Sequence, residues 1–253
     1  MATIHGKAGE NAFLKGLEKQ QRVLFAILLA GLFLELFIGV LFGLSFSRNW
    51  ATQSVSIVAA FILFGVFWVL RKKIDRNLEA RLRSARAWRR GAEGERVVAE
   101  LLKTELPDGY HVFNDVRFPG RTANIDHLVI GPSGVFVLNT KNWRGTVGWA
   151  EDGKTLLWNG EPEKKNSASA AFNDAIDVRN KLRTLFNREI FVRAVLVFPL
   201  AKVSPKLDTS VELQQDDYLI DHRLKYIDKR NSLSEKEVRE IVNALAALFR
   251  ESI

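Results

Sequence analysis

The chain has no cysteine. A disulfide scaffold, a thiolate zinc site and a cysteine nucleophile are therefore excluded, and the absence is compatible with a reducing cytosol. Internal repeats and low-complexity tracts are also missing. Acidic charge is in short supply: 29 Asp and Glu stand against 37 Lys and Arg, a net charge of +8. Such an excess favours anionic partners, either nucleic acid or the headgroups of an inner leaflet. Basic residues that flank membrane helices as topology signals would account for the same excess without any such partner.

What the chain has in abundance is apolar sequence near its start. The run from Val23 to Leu44 (VLFAILLAGLFLELFIGVLFGL) contains one ionisable residue, Glu35. It meets the length of roughly 20 residues that spans a bilayer core. A second, shorter run covers Val55 to Leu70, and Ala51 to Ser54 can extend it. The polar stretch between them, Ser45 to Gln53, is so short that two spans must form an antiparallel hairpin. A cleaved signal peptide fits poorly, because the first run is too long, lacks a small-residue cleavage site and is followed by another. Lys7, Lys15, Lys19 and Arg22 precede the first run, and Arg71, Lys72, Lys73 and Arg76 follow the second, whereas the connection carries only Arg48. This bias places both termini and the main domain on the cytoplasmic side of a cell (inner) membrane. Glu35, mid-membrane, reads as an ion relay or as a carboxyl that aids helix packing; no second ionisable residue lies in either run. The stretch from Arg71 to Arg90 is helix-compatible, and its arginines suit anionic lipid headgroups, nucleic acid or plain solvent. The expected organisation is a cytoplasmic segment at 1–22, a transmembrane hairpin at 23–70, a basic juxtamembrane helix at 71–90 and a domain at 91–253.

That domain reads as α/β. Gly91 to Leu106 predicts a helix with an apolar stripe at Val97, Val98, Leu101, Leu102 and Leu106, stopped by Pro107-Asp108-Gly109. Strands follow at Tyr110–Phe118, Ala123–Ile130 and Val135–Asn142. Pro119-Gly120 marks one turn, and Gly131-Pro132-Ser133-Gly134 signals a hairpin. If Ile130 and Val135 close that hairpin, Asp126 stands opposite Asn139 and Asn124 opposite Lys141. Side chains alternate along a strand, so these four polar groups share a face, while Ile125, His127 and Val129 take the other with Val135 or Leu138. Further short strands are expected within Gly145–Trp158, then a polar loop to Ser169, a helix at Phe172–Phe186 with Ile176, Leu182 and Leu185 inward, and a buried strand at Phe191–Phe198. A short strand is expected at Tyr218–Ile220. The final helix spans Ser234–Ser252 and opens on a capping box at Ser234 and Glu237. Helix, three strands, helix, strand, helix makes a mixed sheet flanked by helices.

An acid, a polar oxygen and a lysine on neighbouring strands suit one reaction type. Carboxylates ligate Mg²⁺ while leaving room for water and substrate phosphate. A bound metal lowers the pKa of the attacking water, and a lysine neutralises the oxyanion that forms.

At these residues the chain resembles the NERD, or nuclease-related, domain, which is grouped with the PD-(D/E)xK restriction-endonuclease-like nucleases. The resemblance rests on Gly91-Ala92-Glu93-Gly94-Glu95, Asn124-Ile125-Asp126-His127-Leu128-Val129-Ile130-Gly131-Pro132, Gly134-Val135-Phe136-Val137-Leu138-Asn139-Thr140-Lys141 and Gly145. It is dense to about Gly148, continues loosely through Phe191–Phe198 and leaves out the hairpin; membrane-anchored members are known in the family. It implies a restriction-endonuclease-like fold with Glu95 as a helix carboxylate, Asp126 as the central metal ligand beside it, and Lys141 as the signature lysine. Mg²⁺ or Mn²⁺ is the implied cofactor. Asn139 stands where the family pattern has its second acid, so weaker metal binding is expected, with Glu95, or Glu93 on a rotated helix, compensating. The glutamine that many members carry after the hairpin has no counterpart in Ser167–Ala171. His127 reads as structural. Trp143, Trp149 and Trp158 read as packing or as stacking platforms for bases, and Lys141-Asn142-Trp143-Arg144 as a short phosphate-binding patch. Three functions fit: a membrane-anchored, metal-dependent nuclease acting on DNA or RNA, a non-catalytic nucleic-acid-binding module of the same fold, or a membrane scaffold.

Overall fold

The computed structural model describes residues 1–46, 50–117, 124–204, 209–226 and 232–250. The expected turn at Pro119-Gly120, the first residue of the strand expected from Ala123, and Arg48 with Asn49 in the helix connection lie outside them. The chain forms two compact units: Met1–Asn11 together with Arg90–Ile253, and Ala12–Arg89.

The Ala12–Arg89 unit is helical. Helix α1 runs Glu10–Phe46, and helix α2 runs Trp50–Glu105, continuing past the unit. Ascending positions on α1 meet descending positions on α2. Lys15 Nζ lies 5.1 Å from the Trp88 ring centroid, Lys19 Nζ donates to Ser84 Oγ at 2.6 Å, and the rings of Phe37 and Phe64 are 6.1 Å apart. The helices are therefore antiparallel. Many of their large apolar side chains point outward: Phe25 is 63% exposed, Leu28 68%, Phe61 73% and Val69 67%. Among the described residues, one stretch, Glu10–Val40, is long and apolar enough to cross a membrane. Glu35 lies on an exposed face of α1.

The other unit is built on a mixed six-stranded sheet. Strand β1 is Thr3–His5, β2 His111–Val116, β3 Ile125–Gly131 and β4 Gly134–Thr140. A small second sheet contributes β5 (Gly145–Trp149), β6 (Leu156–Trp158) and β7 (Glu161–Pro162). Helix α3 (Ser167–Phe186) leads to β8 (Val192–Val197), β9 (Ala201–Val203) and β10 (Val211–Gln214). The large sheet has the order β1-β2-β3-β4-β8-β10, and the small one β7-β6-β5-β9. β2, β3 and β4 form an antiparallel meander, while β8 joins β4 in parallel. That crossover is carried by α3, because a parallel neighbour needs a long connection.

Two apolar layers sandwich the large sheet. On one face Leu128, Ile130, Val135, Val137 and Leu196 meet Ala171, Ala175, Val178 and Leu182 of α3 and Ile241 and Leu245 of α5 (Glu235–Arg250). On the other, Val112, Val129, Phe136 and Leu138 meet Val98, Leu102 and Leu106 at the end of α2, with Leu219, Ile220 and Leu224. The hairpin register is the expected one, with Ile130 opposite Val135 and His127 opposite Leu138. Val135 and Leu138 therefore lie on opposite faces, and Leu138 is the one that accompanies His127.

Several local expectations are corrected. Val97 is 50% exposed and Val98 carries the stripe. Helix α3 starts at Ser167, five residues early, and turns Ala171, Asp174, Ala175, Val178 and Leu182 inward while Leu185 stays exposed. Its small residues allow close approach to the sheet, and large apolar side chains do not mark that face. Tyr218–Ile220 is not a strand. Asp216–Leu219 is a helical turn, α4, running into a π turn at Ile220–Leu224. The edge position beside β8 belongs to β10, whose Val211 and Leu213 alternate inward.

Candidate functional site

The site is built where β3 and β4 end beside α2. In β3 Asp126 has the same parity as Leu128, and its Oδ2 accepts the Thr140 backbone N–H at 2.6 Å. This bond ties the end of β4 across to β3 one pair beyond the last regular ladder pairing. Asn139 on β4 and Lys141 one residue past its end, whose N–H still donates to the Val197 carbonyl at 2.8 Å, share the parity of Val137. Asn139 is buried, and its Nδ2 donates to Asp174 Oδ2 on α3 at 2.7 Å. Its Oδ1 is enclosed and has no hydrogen-bond partner among the described residues.

Glu95 arrives from α2. Gly94 makes the approach possible, since a Cβ there would lie 2.7 Å from Asn142 Cβ. The next turn of helix is pinned by Asn142 Nδ2, which donates to the Arg90 carbonyl at 2.7 Å. Glu93, by contrast, is exposed, so the helix presents Glu95. The proximity shows in the electrostatics. Burial, then Asp126 and then Asp115 push the Glu95 carboxyl up to about 8, against the opposing pull of Lys141 and of the nearby Gly9 N–H. Burial raises Asp126 to about 6; Lys141 and the Thr140 N–H oppose this, while Asp115 and Asp174 add to it. Both carboxyls thus share a low-dielectric site in which Lys141 only partly offsets the cost of their charge.

Two participants were not anticipated. Asp115 sits in β2 at φ 56°, a left-handed conformation that a non-glycine residue adopts only when its surroundings enforce it. The enforcement is visible: Oδ1 accepts Asn124 Nδ2 at 2.7 Å and Oδ2 accepts the Asn11 N–H at 2.7 Å. The other is Asp174, 5% exposed on the inward stripe of α3. An acid in register with buried alanines was a readable signal, hidden by the wrong stripe. Nothing in the sequence pattern marked Asp115, because its proximity depends on a kink within a strand.

His127 is fully buried, contacts Asn114 Oδ1 at 2.8 Å and Thr140 Oγ1 at 3.3 Å, and is lowered by burial to about 3. It is neutral and braces β2, β3 and β4 from the opposite face. Trp143 stacks on Trp158 with centroids 5.0 Å apart and packs against Phe198. Trp158 Nε1 donates to the Arg144 carbonyl at 2.8 Å. These indoles join the two sheets.

Among the described residues, no group of three or more histidine, aspartate or glutamate side chains is gathered as a cation site. A divalent cation fits only with a neutral donor added: the carboxylates of Glu95 and Asp126 together with the orphaned Asn139 Oδ1. This all-oxygen set suits Mg²⁺ or Mn²⁺.

Comparison with known proteins agrees with this architecture. Residues 90–199 match the family model described as the nuclease-related domain, NERD. An uncharacterized protein of Bacillus anthracis is 36% identical over 88 residues, which is 33% of this chain and 41% of that relative. The chain therefore spans less than half the length of that relative. No solved structure matches. Strands β2, β3, β4 and β8, the end of α2 that brings Glu95 and the residues Asp126, Asn139 and Lys141 all fall within the matched region, and residues 90–199 are a nuclease-related domain of the NERD family.

Proposed function

We propose that the protein is a membrane-anchored nuclease that hydrolyses phosphodiester bonds of DNA or RNA with a divalent cation. The observation that carries this reading is the convergence of Glu95, Asp126, Lys141 and the unpartnered Asn139 Oδ1 at one end of the β3–β4 hairpin. Glu95, Asp126 and Asn139 would hold the cation. Once bound, it supplies an activated water and charge neutralisation at the scissile phosphate. Lys141, close enough to influence both carboxyls, neutralises the developing phosphoryl charge. Thr140 holds Asp126 through its backbone N–H, and Asp174 orients the Asn139 amide so that Oδ1 faces away from α3. The net charge of +8 supports an anionic substrate.

Membrane anchoring is supported by the apolar stretch in α1, by the outward apolar side chains of α1 and α2, and by connectivity. Met1–Asn11 and Arg90–Ile253 belong to one unit, so whatever lies between them must leave it and return. Two spans satisfy this requirement, with both termini on the cytoplasmic side, and the arginines of residues 71–90 then lie near anionic headgroups.

The full-length protein in detergent should cleave nucleic acid with Mg²⁺ or Mn²⁺, and Asp126→Ala and Lys141→Ala should each lower the rate at least about 100-fold. Full activity in both variants would reject the site. A second reading, a binding module without catalysis, is favoured by the neutral amide at Asn139. Salt-sensitive binding of nucleic acid with no cleavage in either metal would establish it.

A further inference from the structure

Residues 12–89, most of both long helices, separate the first eleven residues from the nuclease-related domain in sequence, yet those eleven fold into the same unit as the domain. β1 pairs in parallel with β2 along the sheet edge, with Ile4 opposite Val112. The chain then turns through Gly6 at φ 76° and Gly9 at φ 69°. Beyond the second turn two backbone amides meet the site. Gly9 packs against Ala92, one turn before Glu95 on the same helix, with its backbone N–H near enough to the Glu95 carboxylate to oppose the rise in its pKa, and the Asn11 N–H donates to Asp115 Oδ2 at 2.7 Å. Only glycine allows the first contact, because a Cβ on residue 9 would lie 2.7 Å from the Ala92 carbonyl oxygen, in the helix that carries Glu95.

We propose that Gly9 to Asn11 form a positioning loop of the cation site: Gly9 packs on the turn of helix that presents Glu95, and the Asn11 amide holds Asp115. The proposal rests on Glu95 being a cation ligand, as read above. Close packing behind the turn that carries a carboxylate fixes where that carboxylate points, and such support is what holds metal ligands in place. Asp115, with both oxygens already taken by Asn11 and Asn124, contributes negative charge rather than a ligand. It follows that a fragment consisting of the domain alone lacks part of its own site.

The test uses the full-length chain in detergent, with Mn²⁺ as the probe and free Mn²⁺ read by electron paramagnetic resonance in the absence of nucleic acid. Gly6→Ala is a matched control: residue 6 has a similar positive φ, and its Cβ would lie 2.8 Å from the Asn114 carbonyl oxygen. Gly9→Ala should weaken Mn²⁺ binding at least tenfold, while Gly6→Ala stays within twofold even where its melting temperature falls as far. Equal affinities in Gly9→Ala and wild type, or equal losses in both glycine variants, would overturn the proposal. Should Gly9→Ala fail to fold, Asn11→Pro decides. Proline is tolerated in the first turn of a helix and removes only the donor; a loss of threefold or more supports the loop, and an unchanged affinity rejects it. A wild type that binds Mn²⁺ no better than Glu95→Gln would reject Glu95 as a ligand and the loop with it, a result distinct from all the others.

Discussion

Asn139 is anchored from behind. Its Nδ2 is spent on Asp174, and that bond is what leaves Oδ1 without a partner. An aspartate at 139 would set two carboxylates against each other in a buried place, where a lost hydrogen bond alone costs about 1–3 kcal/mol. Asn139→Asp is therefore expected to lower the melting temperature of the metal-free protein and to tighten Mn²⁺ binding. Adding Asp174→Asn should restore the melting temperature, since the pair then has one donor and one acceptor again. Calorimetry with and without Mn²⁺ reads both effects. Glu95 gives a pH dependence. Its carboxyl lies near 8 in the folded chain against an ordinary 4.5, so the folded state holds a proton that the unfolded state releases. The stabilisation is complete below about pH 4.5 and is lost as pH rises through about 8. Relative to Glu95→Gln, metal-free wild type should lose melting temperature over that window. Cation binding must displace the same proton, so Mn²⁺ affinity should rise between pH 6 and 8 in wild type and far less in Glu95→Gln.

At the scale of elements, purely local signals were the readable ones. The capping box of α5 is present: Ser234 N–H and Oγ both donate to Glu237 Oε2, at 2.7 and 2.6 Å, and the Glu237 N–H returns to Ser234 Oγ at 3.3 Å. Ser234→Ala should cost about 1 kcal/mol of stability, measurable by chemical denaturation of the full chain. The β3–β4 register was readable for a similar reason, because a tight turn and a period of two leave one pairing that buries the apolar face. The inward stripe of α3 was not, since alanines mark a helix that lies close to a sheet and only the sheet reveals the need. β1 has three residues, too few for any periodicity.

At the scale of the whole molecule, the absence of cysteine provides a clean background for topology. Lys7→Cys and Glu151→Cys, both at exposed positions, should react with a membrane-impermeant maleimide from the cytoplasmic side. Asn49→Cys, in the helix connection, should react only from the opposite side. Labelling of all three from one side would reject two spans.

The β2–β3–β4 meander, the helices at the end of α2 and at α5, the apolar runs, and the presence of an acid, an amide and a lysine at Asp126, Asn139 and Lys141 were legible in local sequence, because periodicity, turn chemistry and residue type act over a few neighbours. Tertiary structure alone decided that Asp115 and Asp174 join them and that residues 9–11 reach Glu95. Those contacts join segments separated by a strand, a crossover helix or two long helices, and their proximity exists only once the sheet has closed its edge and its faces are covered.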